Sequence, residues 1–309
     1  MQCFKEVLSM ANVLGKGEKI FQVIIHICLV LLAACAIIPV WVLVSGSITG
    51  EQELILKGYS FFPKSLSADA YKYLFYKASE ILRAYGITVL ITVVGTSASL
   101  LITPLLAYPL SRKDFRARNV FAFLVFFTML FNGGLVATYY TYVNYFHIRN
   151  TVWALILPGL MMNAFNVILV RNYFLNSIPI SLIEAARLDG AGEFGIFCKI
   201  VMPLSLPIVA TIGLMTGLMY WNDWQNGMYY LTERGGGHLY TIQIILNNIN
   251  ENIQALLQNS SAVGGMNIKM PSTTVRMAIA TVGILPILII YPFFQKYFVK
   301  GITLGGVKE

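Results

Sequence analysis

The chain is poor in charge: Asp, Glu, Lys and Arg make up 12% of its 309 residues, while hydrophobic residues make up 57%. An ordinary soluble domain is about a quarter charged. The shortage excludes a water-solvated globule, because several apolar runs of about twenty residues would have to hide in one core. Cysteine is equally sparse. Cys3, Cys28, Cys35 and Cys198 show no paired spacing and no neighbouring histidine cluster, which leaves them as small apolar fillers rather than a disulfide framework or a zinc site. No G-x-x-x-x-G-K-[ST] loop is available to cradle phosphates; Gly15–Lys16–Gly17 is too short and precedes no suitable Ser or Thr. Catalytic triads, metal clusters and carboxylate pairs placed for hydrolysis are missing too, so no catalytic residue, metal or cofactor is expected in this chain. The net charge of +8 does not imply nucleic acid, since its basic residues are scattered between apolar runs and form no aromatic-interleaved stripe.

What the chain does have is apolar runs of spanning length: Phe21–Gly46, Tyr85–Leu110, Val120–Tyr142, Val152–Tyr173, Val201–Trp221 and Met277–Phe298. Each reaches the roughly twenty residues that cross about 30 Å of hydrocarbon as a helix. Pro39, Pro104, Pro158, Pro207 and Pro286 lie inside them, as transmembrane helices tolerate and soluble helices do not. The expected fold class is therefore all-α, a polytopic membrane protein with six transmembrane helices. One face receives Lys5, Lys16, Lys19, Arg112, Lys113, Arg116, Arg118, Arg171, Arg187, Lys199, Lys296, Lys300 and Lys308 in short loops. The other receives Lys57, Lys64, Lys72, Lys77, Arg83, Arg149, Arg234, Lys269 and Arg276 in longer ones. The positive-inside rule then places both termini in the cytoplasm. The domain plan is a cytoplasmic tail over 1–20, a six-helix transmembrane body over 21–299, and a tail over 300–309. Within the body, 47–84 and 222–276 face outward and 176–199 faces inward. Leu32–Ala33–Ala34–Cys35 resembles a lipoprotein cleavage box, but the apolar run continues past Cys35, as an uncleaved first helix does.

The spans carry amide and aromatic groups: Asn132, Tyr139 and Tyr140 near the outer end of the third, Asn163 and Asn166 in the fourth, and Trp221, Asn222 and Trp224 at the outer end of the fifth. Two readings stand for them. One is a carbohydrate path, amides for hydroxyls and rings for C–H faces; the other is interhelical hydrogen bonding and interfacial aromatic belts. His26 is expected to be a packing donor rather than a proton relay. Ile242, Ile245, Leu246, Ile249, Ile253 and Leu256 recur at helical spacing and predict an amphipathic helix over 241–257. Its polar residues Asn247, Asn248, Asn250 and Glu251, with Met266 in the following loop, are candidates for docking an external partner.

The most informative stretch is 176–203, NSIPISLIEAARLDGAGEFGIFCKIVMP. Ser181 and Glu184 have capping-box spacing, predicting a helix from Leu182. Gly190 and Gly192 then stop it, and Glu193–Val201 resumes helically into the fifth span. Such a hairpin would present small Ala185 and Ala186 among Glu184, Arg187 and Asp189. Spacing alone leaves open whether it closes a loop or fits a socket on another protein.

Here a resemblance enters. Glu184, Ala185, Ala186, Gly190, Ile200 and Pro203 resemble the EAA signature of ABC importer permeases, E-A-A, three residues, G, nine residues, I, one residue, L-P, with Met202 standing for Leu. Trp221–Asn222–Asp223–Trp224 resembles the second six-span subunit of the maltose-transporter class. FNGGLVATYY and RNYFLNSIP resemble its oligosaccharide and polysaccharide-fragment branch. The resemblance implies a bacterial cell-membrane permease that imports a sugar or oligosaccharide by alternating access. Glu184, Ala185, Ala186, Arg187, Asp189, Gly190 and Gly192 would form the coupling helix and its turn. The implied partners are a second permease in a heterodimer, two ATP-binding subunits carrying ATP and Mg, and an extracytoplasmic binding protein. An ion-coupled transporter or channel is the alternative; it calls for membrane-embedded ionisable groups or an inverted repeat, and neither is evident.

Overall fold

The computed structural model describes residues 16–76, 78–259 and 273–306; Cys3, Met266 and most of the expected N-terminal tail lie outside them. Among the described residues the chain is helical, with one isolated antiparallel bridge, Thr49 to Leu66, and no strand. It divides into two units.

The first unit comprises residues 1–74 and 267–281. Its main element is α1, Lys16–Ser47, charged at its start, mostly apolar from Ile20 on, and unbroken at Pro39. The surface of α1 is exposed along most of its length, and only lipid or another chain can cover so much apolar area. After it come α2, Glu51–Lys57, and α3, Asp69–Tyr76. The segment between α1 and α3 is tied back by Trp41 Nε1 to Phe61 O at 3.0 Å and Ser45 Oγ to Ser60 O at 2.7 Å. Glu51 accepts from Thr273 N at 3.1 Å and Thr274 N at 3.2 Å, a carboxylate at the positive end of the last helix.

The second unit, residues 75–266 and 282–309, is built around α4, Ala78–Ser111. Next in the chain are α5 (Arg118–Leu130), α6 (Gly134–Tyr140), α7 (Trp153–Ile156), α8 (Ala164–Ser177), α9 (Ile180–Leu188), α10 (Glu193–Ile196), α11 (Met202–Leu204) and α12 (Leu206–Trp221). Two short helices, α13 (Gln225–Tyr230) and α14 (Glu233–Gly236), precede α15 (Ile242–Asn259) and α16 (Thr273–Gly306). The expected amphipathic helix is α15. Packing is densest where α4 meets α12 and α8, burying Ala107, Val167, Val170, Ile208 and Ile212. Gly95 makes the α4–α12 approach possible, since a Cβ there would land inside the ring of Tyr220. Tyr220 is fully buried and donates its hydroxyl to Ile156 O at 2.8 Å.

Three of the six expected spans are single helices long and apolar enough to cross a membrane: α1, α4 and α16. Two others are bent, giving up to five if each bent pair counts once. Val120–Tyr142 is α5 and α6 meeting at 114°, because Gly134 takes a positive φ of 78° and Asn132 Oδ1 accepts the Gly134 N–H at 2.9 Å. Val201–Trp221 is also bent: its first residues, through α11, end the helical stretch Glu193–Leu204, and α12 is set at 79° to that stretch across Ser205; Pro207 has no N–H to continue the ladder. Val152–Tyr173 is not one helix at all. Its ends are α7 and α8, separated by Pro158, Gly159 at φ +72° and Asn163, whose side chain caps α8. The exposed carbonyls at this break are taken up by Tyr220 on Ile156 O and Asn226 Nδ2 on Pro158 O at 3.1 Å. Pro39, Pro104 and Pro286 sit inside continuous helices, so proline breaks a span here only where a second turn residue joins it.

Gly95→Ala should therefore cost about 1–3 kcal/mol, the range for overpacking a filled site, read as a lower thermal midpoint of the purified protein in detergent. Gly86→Ala on the same helix, whose Cβ meets nothing within 4 Å, should leave the midpoint unchanged or raise it.

Candidate functional site

The hairpin over 176–204 begins differently from the expectation. The helix starts at Ile180 with Pro179 as its N-cap, and no side chain caps it, so the Ser181–Glu184 capping box does not form. Pro179, at φ −61° and ψ 128°, already supplies the extended entry, and Leu182 N donates to Pro179 O at 3.2 Å. Ser181 is thereby drawn inside the first turn. The stop is as expected and fully bonded. Gly190 takes φ +81°, Gly190 N reaches Arg187 O at 3.0 Å, and Ala191 N reaches Ala186 O at 2.9 Å; this is the Schellman pattern that ends a helix on a left-handed residue. Gly192 is extended and caps α10. Of the two alanines only Ala185 faces outward. Ala186 is buried with Ile183 against Ile196, Phe197 and Val201, because residues three apart share the inner face. Glu184, Ala185, Leu188, Asp189 and Gly190 stand exposed, Leu188 at 89%. Of the motif's last residues, Ile200 packs on the same core while Pro203 sits in the short turn of α11.

Arg187 pins this hairpin to α4. Its Nη1 lies 2.6 Å from Asp114 Oδ2, in the loop after α4, and its Nη2 lies 2.6 Å from Glu193 Oε1, across the Gly190 turn. Tyr108 of α4 donates to the other Glu193 oxygen at 2.8 Å, and Arg112 approaches Asp114 at 3.4 Å. The hydrogen bond from Arg187 holds the Asp114 carboxyl below its usual range. Burial pushes Glu193 up, but the Tyr108 and Arg187 hydrogen bonds outweigh it and leave that carboxyl lowered as well. Asp114, Tyr108 and the Glu193 role are invisible in the sequence pattern, because the three lie on separate segments that only the folded hairpin brings together.

The outer polar residues are mostly spent on the fold. Asn163 caps α8, Asn166 donates to Thr216 Oγ1 at 3.3 Å, and Asn222 Nδ2 donates to Leu218 O at 2.9 Å. Trp221 is buried and donates to Gly283 O at 3.1 Å. Tyr139 stacks on Tyr230, Tyr140 meets Tyr145 edge-on, and Trp224 stands half exposed before α13. His26 contacts Gln22 O one turn earlier at 2.7 Å. Of the expected path, Asn132 lines an open cavity of about 430 Å³ together with Thr138, Asp223, Gln225, Asn226 and Tyr229, and Trp221 lines a separate one of about 310 Å³ with Thr92, Thr96 and Tyr291. Burial raises the Asp223 carboxyl, and its Oδ2 has no hydrogen-bond partner. The candidates Asn247, Asn248, Asn250 and Glu251 lie on α15, where Asn247 Nδ2 donates to Glu251 Oε1 at 2.9 Å.

Because both hairpin-associated carboxyls are lowered, the Arg187 pairs contribute fully at neutral pH and lose their contribution as pH falls through about 4 and below. Asp114→Asn should lower the thermal midpoint in detergent at pH 7 by the modest amount a half-exposed pair supports, under about 1 kcal/mol. The gap from wild type should close in acid, and an unchanged gap at low pH would show that the pair contributes nothing.

The comparisons with known proteins agree with one another. Residues 85–304 match the family described as binding-protein-dependent transport system inner membrane component. The polygalacturonan/rhamnogalacturonan transport system permease protein YtcP of Bacillus subtilis is 38% identical, covering 94% of this chain and 99% of its own. LplC of the same organism is 36% identical over 98% of this chain and 99% of its own. The arabinooligosaccharides transport permease AraQ of Halalkalibacterium halodurans is 30% identical over 95% and 99%. A chain from the crystal structure of a bacterial ABC transporter involved in import of the acidic polysaccharide alginate superposes with a TM-score of 0.73 at 33% identity, over 92% of this chain and 99% of that one. A family match over most of the chain, full-length relatives and a shared fold lead to one conclusion: this chain belongs to the binding-protein-dependent transport system inner membrane components, the multi-pass permease subunits of ABC importers.

Proposed function

We propose that this permease imports an oligosaccharide released from a polysaccharide, and that Glu184, Ala185, Arg187, Asp189, Gly190 and Gly192 form the segment through which separate ATPase subunits drive it. The single observation that carries the coupling assignment is the hairpin itself. It is closed by a bonded left-handed turn at Gly190 and anchored to α4 by Arg187, yet its helix tip is exposed and unpartnered by other described residues. A rigid protrusion anchored to the central helix is what a lever requires: a push on the tip moves α4 rather than flexing a loop. ATP and Mg reside on two partner ATPase subunits, and a second permease and an extracytoplasmic binding protein complete the assembly. The oligosaccharide assignment rests on what the relatives carry, polygalacturonan, arabinooligosaccharide and alginate. The 430 Å³ cavity with Asn132, Asp223, Gln225 and Asn226 is a polar surface of the kind sugar hydroxyls use. Ion coupling has no observation in its favour.

The proposed topology is six crossings with both termini cytoplasmic. The bent α5–α6 pair and α12 each serve as one crossing, and α8 as the sixth. With 14 residues α8 rises only about 21 Å, so α7 and the connecting segment supply the rest. Cysteine labelling from each side of sealed vesicles tests this: single cysteines at Ser181 and Lys113 should react only from the cytoplasmic face.

The coupling test is ATP-driven uptake by the complete complex in proteoliposomes, with galacturonan, alginate and arabinan oligosaccharides as substrates. Gly190→Ala places a side chain at φ +81°, a strain of about 1–2 kcal/mol, in a turn with open space around it. It should lower uptake and substrate-stimulated ATPase together while the subunits remain assembled. Unchanged uptake in both Gly190→Ala and Glu184→Ala would refute the coupling assignment.

A further inference from the structure

Beside the hairpin, where α4 ends, lies a second cavity of about 340 Å³ whose walls carry two cations, Arg112 and Lys113, and no carboxylate. Arg112 is 8% exposed, and its Nε is buried without a hydrogen-bond partner. Its acidic neighbours are both engaged by other groups: Asp114, 3.4 Å away, is held at 2.6 Å by Arg187, and Glu193, which also feels the Arg112 charge, is held by Arg187 and Tyr108. The guanidinium carbon lies 5.8 Å from the Tyr108 ring centre, a weak compensation for a charge taken out of water. A buried guanidinium with its carboxylates committed elsewhere calls for a further anion.

The rest of the wall supplies donors of the right kind. Ser177 and Asn176 contribute a hydroxyl and an amide, and Pro179 and Ile180 place the start of α9 on the cavity. That first turn has neither an acidic residue nor a side-chain cap, and although Leu182 N is bonded to Pro179 O, the positive end of the helix faces the cavity without a carboxylate to offset it. Leu175, Ile180 and Leu182 are exposed apolar residues at or beside the same place. A soluble ion has no use for them, whereas acyl chains do.

We propose that this cavity is a phosphate-binding site that seats the headgroup of an anionic membrane phospholipid, with Arg112 and Lys113 on the phosphate and the lipid chains along the apolar rim. Basic pockets between helix ends are a recurrent means of holding such headgroups. The inference depends on the membrane setting that family membership establishes and not on which sugar is carried or how ATP is coupled. Because the cavity includes the first residues of α9, headgroup occupancy would brace the base of the hairpin.

The test uses the complete complex, extracted and delipidated in detergent and then exchanged into nanodiscs of phosphatidylcholine, alone or with added phosphatidylglycerol. Native mass spectrometry counts retained phosphatidylglycerol, and ATPase activity gives the functional readout. Wild type should retain the lipid, and Lys113→Gln should reduce apparent affinity about tenfold, the loss expected of one charge-assisted contact. Lys113 is exposed, so this variant should fold normally, which its thermal midpoint checks; Arg112→Gln, at a buried position, is the second variant. Equal retention in wild type and Lys113→Gln would overturn the proposal. So would full replacement of the lipid effect by millimolar inorganic phosphate in phosphatidylcholine nanodiscs, which would assign the site to a soluble ion. A zero-length cross-link from Lys113 to a carboxylate of an ATPase subunit would overturn it as well, by giving the cations a protein partner.

Discussion

Arg187 is the constraint on which the functional end of the molecule depends. One guanidinium holds Asp114, which follows α4, and Glu193, which follows the Gly190 turn, while Tyr108 of α4 secures the far oxygen of Glu193. Without that grip the hairpin would be joined to the bundle only through its two chain ends and its buried side, Ile183, Ala186 and Ile196. Apolar burial fixes which face turns inward but not how far the helix slides or tilts; two charge-assisted bonds to a single planar group set both. The pairs are half exposed and contribute little to stability. Their role is directional.

The same economy of polar groups runs through the bundle. Where spans break, the freed backbone carbonyls are matched one by one, Ile156 by Tyr220 and Pro158 by Asn226, as a chain without water around it requires. Tyr220 serves twice. Its ring fills the notch at Gly95 that lets α4 and α12 meet, and its hydroxyl closes the break before α8. Several buried side-chain atoms escape this matching, the hydroxyls of Thr92, Thr96, Thr103 and Ser205 among them, and two that belong to charged groups line cavities, Asp223 Oδ2 and Arg112 Nε.

Much of the fold was legible in sequence. Apolar length identified α1, α4 and α16, since a run of twenty apolar residues has few alternatives to a helix. The 3.6-residue periodicity identified α15, and E-A-A with Gly190 located the hairpin helix α9 and its stop. The misreadings share one cause. Val120–Tyr142, Val152–Tyr173 and Val201–Trp221 are predominantly apolar, so composition could not show that Gly134, Pro158 with Gly159, and Pro207 break or bend them. Nor could spacing show that Pro179 would start α9 and leave Ser181 without its capping role.

What the sequence alone determined is local: which segments are apolar, which turn must be left-handed at Gly190, and which family the motif belongs to, each a property of neighbours within a dozen residues. The tertiary structure alone decided that Asp114, Tyr108 and Glu193 meet on Arg187, that Ala186 faces in while Ala185 faces out, and that Arg112 is stranded beside an open cavity. Those are distances between residues up to 85 positions apart, and the packing of α4 against α8 and α12, rather than any pattern along the chain, sets them.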